Sequence, residues 1–314
     1  MTTNYRFHAA AIHYFNTVRH ARSIRGAAAI LNVASSAVNR QILNLEAGLG
    51  MQLFERAPSG LKLTSAGEIF ARHVNAVLTD TERMQSELDA LRGLHAGHVE
   101  IATIEGLCHD LVPEALDLMR ARHPRVTVRI SILKTSEIPE AVLNGDAHLG
   151  LGFHIERRPE LRQIAVGRFT LGAVVSAQSS FAGLKKIPVH HLADVNLLLP
   201  AENFAARGQI WPLLLEAIGS RRPLVESGSI ELMKHLALQD VGVTFLTRFA
   251  LTSELKSGRL AHVPLLYKGK PILTELGLYA RKSVALPVAA EAMAQYLAEI
   301  IARREAEEPA IEPP

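Results

Sequence analysis

Ser36, Asn39, Arg40 and Asn44 recur three and four residues apart, the spacing that gathers side chains on one face of a helix. Their chemistry suits a polar reading surface: carboxamides that both donate to and accept from base edges, with hydroxyl and guanidinium donors for phosphate oxygens. No other chemistry has a comparable constellation. The 14 histidines are scattered, and His190-His191 lacks a Cys or carboxylate partner at ligand spacing, so no metal is expected. The chain has no Gly-rich phosphate loop, no Gly-x-Ser-x-Gly elbow and no catalytic triad. It therefore reads as a non-enzyme, with no catalytic residues and no cofactor.

The elements that must position this surface lie within residues 24 to 67. Ala27, Ala28, Ile30 and Leu31 place small and aliphatic side chains on one face of a first helix, and small residues there let a second helix approach closely. Asn32-Val33-Ala34 is too short for anything but a turn. Ser35 and Ser36 follow as N-cap candidates for a helix whose inward stripe is Ala37, Val38, Ile42, Leu45 and Leu49. Gly48 and Gly50 end it. Two alternating segments, 52–56 and 61–64, flank Pro58-Ser59-Gly60 as a two-stranded wing, setting Arg56 and Lys62 beside a phosphate backbone. Charge agrees: residues 1–64 carry seven Lys or Arg against two acids, whereas the remaining 250 carry 27 against 29. A compact basic unit is the electrostatic footprint of a domain that displaces counterions from DNA.

These residues resemble the LysR-type transcriptional regulators. The resemblance rests on Ala27-Ala28, Leu31, Val33, Ser35, Ala37-Val38, Arg40-Gln41-Ile42, Leu45-Glu46, Leu49-Gly50, Leu53-Phe54-Glu55-Arg56 and Leu63-Thr64-Ser65-Ala66-Gly67. It covers about forty residues closely, and the length and organisation of the rest fit the family. Two positions depart from it. Ser35-Ser36 stands where the family usually carries Gln followed by Pro or Ser, and Asn39 where it usually has Ser before the helix Arg. Both would face DNA, so the operator is expected to differ from the commoner ones. Asn39 is the first choice for a direct base reader, because Asn pairs bidentately with adenine in the major groove.

With 48% apolar and 21% charged residues in 314, the composition is that of a soluble protein of two or three domains. The N-terminus lacks a signal pattern, and no apolar run approaches the roughly 20 residues that span a bilayer, so a cytoplasmic protein with no membrane partner is expected. The single cysteine, Cys108, rules out an internal disulfide and fits a reducing compartment. Residues 65–93 form a long helix with Ile69, Phe70, Val74, Val77, Leu78, Met84, Leu88 and Leu91 at helical intervals. Such a stripe needs the same helix of another subunit to cover it; the resemblance likewise implies a dimerising linker, giving a homodimer or homotetramer. Gly93 and Gly97 mark a hinge.

Beyond the hinge, strands and helices alternate: strands at 98–103, 126–133 and 148–153, helices at 111–123 and 136–144. This predicts a parallel sheet with crossover helices. A second unit begins near Phe169 and includes Val195 to Leu199, a helix around Trp211 to Ile218, and the segments 229–239 and 241–246. A strand over Ile272 to Ala280 and a closing helix over Leu286 to Arg303 return to the first. The fold class expected is therefore an all-α winged helix-turn-helix (1–64), a linker helix (65–93) and a two-lobed α/β domain (94–304), with lobe I at about 98–168 and 270–304 and lobe II at about 169–269. The resemblance implies that this α/β region is a periplasmic-binding-protein-like effector domain. The acidic, proline-rich tail 305–314 reads as disordered.

Ligands bind such folds at the carboxyl ends of strands. Lobe I offers Thr103, Glu105, Gly106, Thr135 and Ser136; lobe II offers Glu202, Asn203 and Ser229. Thr135 and Ser136 precede a helix, where free amides suit a carboxylate or phosphate, although capping alone also explains them. By resemblance the first loop often supplies a serine where Gly106 stands, which leaves room for a bulkier ligand or removes one hydrogen bond. Glu105 and Glu202 would disfavour an anion or attract an amine. Family members that sense oxidants use paired cysteines; Cys108 has no partner and reads as a structural thiol. The function expected is regulation of transcription, with double-stranded DNA, a small-molecule effector and RNA polymerase as partners. The rival is a solute-binding protein or enzyme whose N-terminal region serves only assembly.

Overall fold

The computed structural model describes residues 9–58, 60–91, 96–201, 205–219 and 222–309. The chain divides into two units, Met1–Thr81 and Glu82–Pro314. In the first, α1 (Ala9–Ala21), α2 (Ile24–Leu31) and α3 (Ser35–Leu49) are followed by the ribbon β1 (Phe54–Ala57) and β2 (Gly60–Leu63) and by α4 (Ser65–Leu91). Asn32 adopts the left-handed conformation, φ 54°, that stops α2 within one residue, a geometry its short polar side chain tolerates. Phe15 has no exposure and meets the ring of Phe70 edge-on at 4.8 Å, with Val18, Ala27, Ala28, Val38, Ile42 and Leu45 completing the core.

Three expectations change here. Ile30 does not join the inward face of α2: it is 67% exposed, because at about 100° per residue it sits beside Ala27 but roughly 105° from the centre of the face that Ala27, Ala28 and Leu31 define. Ser35 and Ser36 do not cap α3; its N-cap is Ala34, and both serines occupy helical positions with exposed side chains. The first unit also runs beyond residue 64, since Phe70, Ala71 and Val74 of α4 belong to its core. Farther along α4, Met84 and Leu88 are exposed.

The second unit has two lobes. Lobe I contains β3 (Ala96–Thr103), α5 (Leu111–Arg122), β4 (Arg125–Ile132), α6 (Ile138–Leu143), β5 (Leu149–Phe153) and β6 (Leu161–Thr170). Lobe II follows with β7 (Gly172–Ser176), β8 (Ile187–Pro188), β9 (Leu198–Pro200), α7 (Ala205–Ile218), β10 (Val225–Ser227), α8 (Ile230–Leu238), β11 (Thr244–Leu246), α9 (Thr252–Lys256), β12 (Leu260–Tyr267) and β13 (Lys270–Pro271). The chain then returns to lobe I as β14 (Leu273–Arg281) and α10 (Val288–Ala306). The lobe I sheet has the order β4-β3-β5-β14-β6. Its first three strands are parallel, as expected, but β14 runs antiparallel to both neighbours. Lobe II departs further. Its sheet, β11-β7-β12-β13, is antiparallel throughout, and the parallel pairs β9-β10 and β8-β12 lie off that path.

The two passages between lobes are side by side. Leu171 donates its amide to the Ile272 carbonyl at 2.9 Å and accepts from Leu265 at 3.2 Å, while Ile272 donates to Leu265 at 3.0 Å. The tail is also partly ordered: Glu305 in the last turn of α10 and Glu308 just beyond it accept the Arg168 and Thr170 amides of β6, at 2.8 and 3.1 Å. Edge-strand amides need acceptors, and these carboxylates supply them.

Candidate DNA-reading surface and effector cleft

Helix α3 turns Val38, Ile42 and Leu45 into the core and leaves Ser35, Ser36, Asn39, Arg40 and Asn44 exposed. Glu46 at its far end fixes the helix against the wing. Its carboxylate accepts the Leu53 and Phe54 amides at 2.7 and 3.2 Å, a charge-assisted pair of bonds across several residues of chain. At the other side of the wing, the Leu61 amide donates to the Arg22 carbonyl at 2.8 Å, and a Cβ on Gly60 would fall 2.6 Å from that oxygen. Only glycine allows the approach, and its φ of 108° excludes other residues as well. The ribbon register pairs Arg56 with Leu61 and Lys62 with Glu55. Directly opposed residues share a face, so Arg56 and Lys62, both exposed, lie on opposite faces of the wing. Leu43 is a residue the polar reading passes over: it is 54% exposed, and helical spacing sets it between Asn39 and Arg40 on the outer face. Its signal in the sequence is an apolar residue in register with polar ones.

In the second unit a cavity of about 340 Å³ opens between the lobes. Glu105, Gly106 and Thr135 line it, whereas Thr103, Ser136 and Ser229 do not. Thr103 is fully buried at the end of β3 with an unpartnered hydroxyl, Ser136 is exposed, and Ser229 caps α8 by accepting the Leu232 amide at 3.2 Å. Glu202 and Asn203 lie outside the described residues. The helix start at Thr135 is a single 3-10 turn in which Glu137 itself accepts the Lys134 amide at 3.0 Å. The space opposite Gly106 is taken up as well: a Cβ there would come 3.2 Å from Ile230 Cδ1, so the glycine admits α8 rather than a bulkier ligand. Sequence reasoning passed over Ile230, Leu246, Thr247, Ala250 and Thr274, all on the lining. Thr247 directly follows β11, so the strand-end rule that selected Glu105 would also have reached it.

Polar contacts join the lobes. His109 Nε2 lies 3.3 Å from a Glu231 carboxylate oxygen, and the Thr252 hydroxyl donates to Asp110 at 2.7 Å. Elsewhere His154 of lobe I, whose Nε2 lies 2.8 Å from the hydroxyl of Thr274 in the same lobe, reaches across to Gln209 Oε1 of lobe II at 3.3 Å. Beneath α8, Lys234 is almost wholly buried between Glu231 and Glu254, at 2.9 and 3.0 Å. Burial works to raise the Glu254 carboxyl, but the Lys234 hydrogen bond and charge hold it below the ordinary range. Burial, with Glu105 adding, pushes the Cys108 thiol up, and its Sγ lies 3.6 Å from the Ile104 carbonyl, so it is kept protonated and weakly reactive. Among the described residues no group of three His, Cys, Asp or Glu could hold a metal, and no helix is long and apolar enough to cross a membrane.

A winged helix-turn-helix with an open polar reading face, joined to a two-lobed unit with an internal cleft, defines a ligand-responsive DNA-binding regulator. Comparison with known proteins narrows the class. Residues 9–68 match the model of the bacterial regulatory helix-turn-helix proteins of the lysR family, and residues 92–302 match the LysR substrate binding domain. The HTH-type transcriptional regulator CbbR of Rhodospirillum rubrum is 26% identical over 290 residues, covering 92% of this chain and 95% of that protein. BbuR of Bordetella bronchiseptica, also an HTH-type transcriptional regulator, is 24% identical over 267 residues, covering 84% and 82%. Among solved structures, a full-length OxyR variant from Pseudomonas aeruginosa superposes with a TM-score of 0.75 at 20% identity, over 93% of this chain and 95% of that one. Full-length CbnR complexed with its target DNA gives 0.60 at 22%, over 94% and 99%. The chain belongs to the LysR family of DNA-binding transcriptional regulators; it is not an enzyme.

Proposed function

We propose that the protein works in the cytoplasm as a homodimer or homotetramer, paired through α4, and reads a partly palindromic operator with half-sites separated by whole helical turns. Asn39 reads a base edge and Leu43 a thymine methyl. Ser35, Ser36, Arg40, Arg56 and Lys62 hold phosphates. The observation that carries this reading is the outer face of α3, whose polar side chains are exposed while Glu46 fixes the helix against the wing. CbnR, a structural neighbour, is described in complex with its target DNA, and the effector domain of QuiR in complex with shikimate. By the same logic a small molecule enters the cleft lined by Glu105, Gly106, Thr135 and Thr247. It changes the spacing or bend imposed on DNA by favouring one quaternary arrangement over another, which requires different affinities for the two. The test is genome-wide mapping of DNA fragments held by the purified protein at two salt concentrations. A pseudo-palindrome enriched upstream of a few genes is expected; absence of any enrichment at low salt would refute the reading.

A further inference from the structure

The lining of the cleft is uneven in a way that selects a class of ligand. Most of it is apolar, with Ile104, Phe153, Ile230 and Leu246 prominent. Lobe I contributes Glu105, half-buried, whose carboxylate has no hydrogen bond or ion pair among the described residues. Lobe II contributes Thr247, only 7% exposed, whose hydroxyl also lacks a partner among the described residues. Both groups lie on the wall of an open cavity, so water serves them until a ligand displaces it; a ligand whose polar end donates keeps those hydrogen bonds, and one that cannot donate loses them. The cationic side is thin: Lys134, on an exposed position, is the lining's only cation among the described residues, and Glu137 lines the same edge. An incoming carboxylate would therefore meet Glu105 in apolar surroundings, where like charges repel more strongly than in water.

We propose that the cleft takes a largely apolar ligand of roughly ten to twenty non-hydrogen atoms, with a single hydrogen-bond-donating end, an ammonium first and a hydroxyl second, held by Glu105 and Thr247. Carboxylates are rejected. The proposal rests on the reading of the cleft as the effector site. Because the two polar groups come from different lobes, such a ligand also ties the lobes together.

The test is calorimetric titration of the full-length protein with hydrocinnamylamine, hydrocinnamyl alcohol and hydrocinnamate, which share one hydrocarbon body and differ in the polar end. The amine should bind about tenfold more tightly than the alcohol, as expected for a charge-assisted bond, and the carboxylate most weakly. Glu105→Gln should bring the amine down to the level of the alcohol, and Thr247→Val should weaken both several-fold; thermal midpoints near that of the parent verify that each variant is folded. Ala250→Trp, which fills the cavity, should abolish binding of all three. Hydrocinnamate binding as tightly as the amine, or no binding by any of the three at millimolar concentration, overturns the ligand class. Binding that survives Ala250→Trp instead overturns the cleft as the site.

Discussion

The first unit carries its polar chemistry on the outside, the second on the inside. In the first unit the side chains proposed to meet DNA are exposed, and the interior beneath them is mostly hydrocarbon, with Asn75 and Thr79 of α4 buried beside it and the half-buried Glu46 carboxylate holding the wing. In the effector unit the important polar groups are inside: Thr247 on the cavity wall, Lys234 between two acids, His262 against the sheet. The difference teaches which changes will separate function from stability. Surface side chains should be removable with the fold intact, whereas Lys234 and His262 should resist removal because each leaves an unpaired partner behind; Thr247, whose hydroxyl has no partner among the described residues, should tolerate it.

The largest expected effect is Lys234→Met. It strands Glu254, already buried with one unpartnered oxygen, and should lower stability by about 3–5 kcal/mol, read from the urea midpoint. A change within the error of the fit would break the contrast. Next comes His262, packed over Gly172, where a Cβ would strike its ring. Burial, with Arg248 adding, pushes its pKa from 6.5 down to about 4. The unfolded chain therefore takes up a proton that the folded chain refuses, so this contribution is intact above pH 6.5 and drains as the pH falls toward 4. The expected loss is on the order of 3 kcal/mol, and His262→Gln should flatten that part of the stability profile.

Asn39→Ala sharpens the other half of the comparison. Stability should stay within about 0.5 kcal/mol, while discrimination at one A·T pair of the operator falls by about 1–3 kcal/mol. An unchanged ranking of operator variants would remove Asn39 from the base readers. Smallest are Arg56→Ala and Lys62→Ala. Each should weaken binding across all sequences and lower the salt slope by about one unit. Since the two lie on opposite faces of the wing, the double variant should show the sum.

What the sequence disclosed follows the range of the interactions involved. The outer face of α3 depends on spacings of three and four residues, and Ser36, Asn39, Arg40 and Asn44 could be placed from them directly. The bond from Glu46 to Leu53 and the docking of Arg22 on the wing join residues seven and 39 apart, and no periodicity announces them. β6 escaped notice because it is an edge strand whose alternation is broken by adjacent half-buried residues, and β12 because Pro264 sits inside it. The cleft was legible only in part. Glu105 and Thr135 follow strand ends that the alternation of strands and helices marks, but the wall facing them is assembled from Ile230, Leu246, Thr247 and Ala250, far later in the chain.

The ordered end of α10 has a bearing on how copies of this chain behave when crowded. β6 is one of the two outer strands of the lobe I sheet, and bare strand edges are where separate chains nucleate fibrils by adding strand upon strand. Glu305 and Glu308 occupy two of the amides that an incoming strand would need, and any strand approaching there would meet fixed negative charge. The last helix thus closes a route to aggregation that the sheet by itself would leave open.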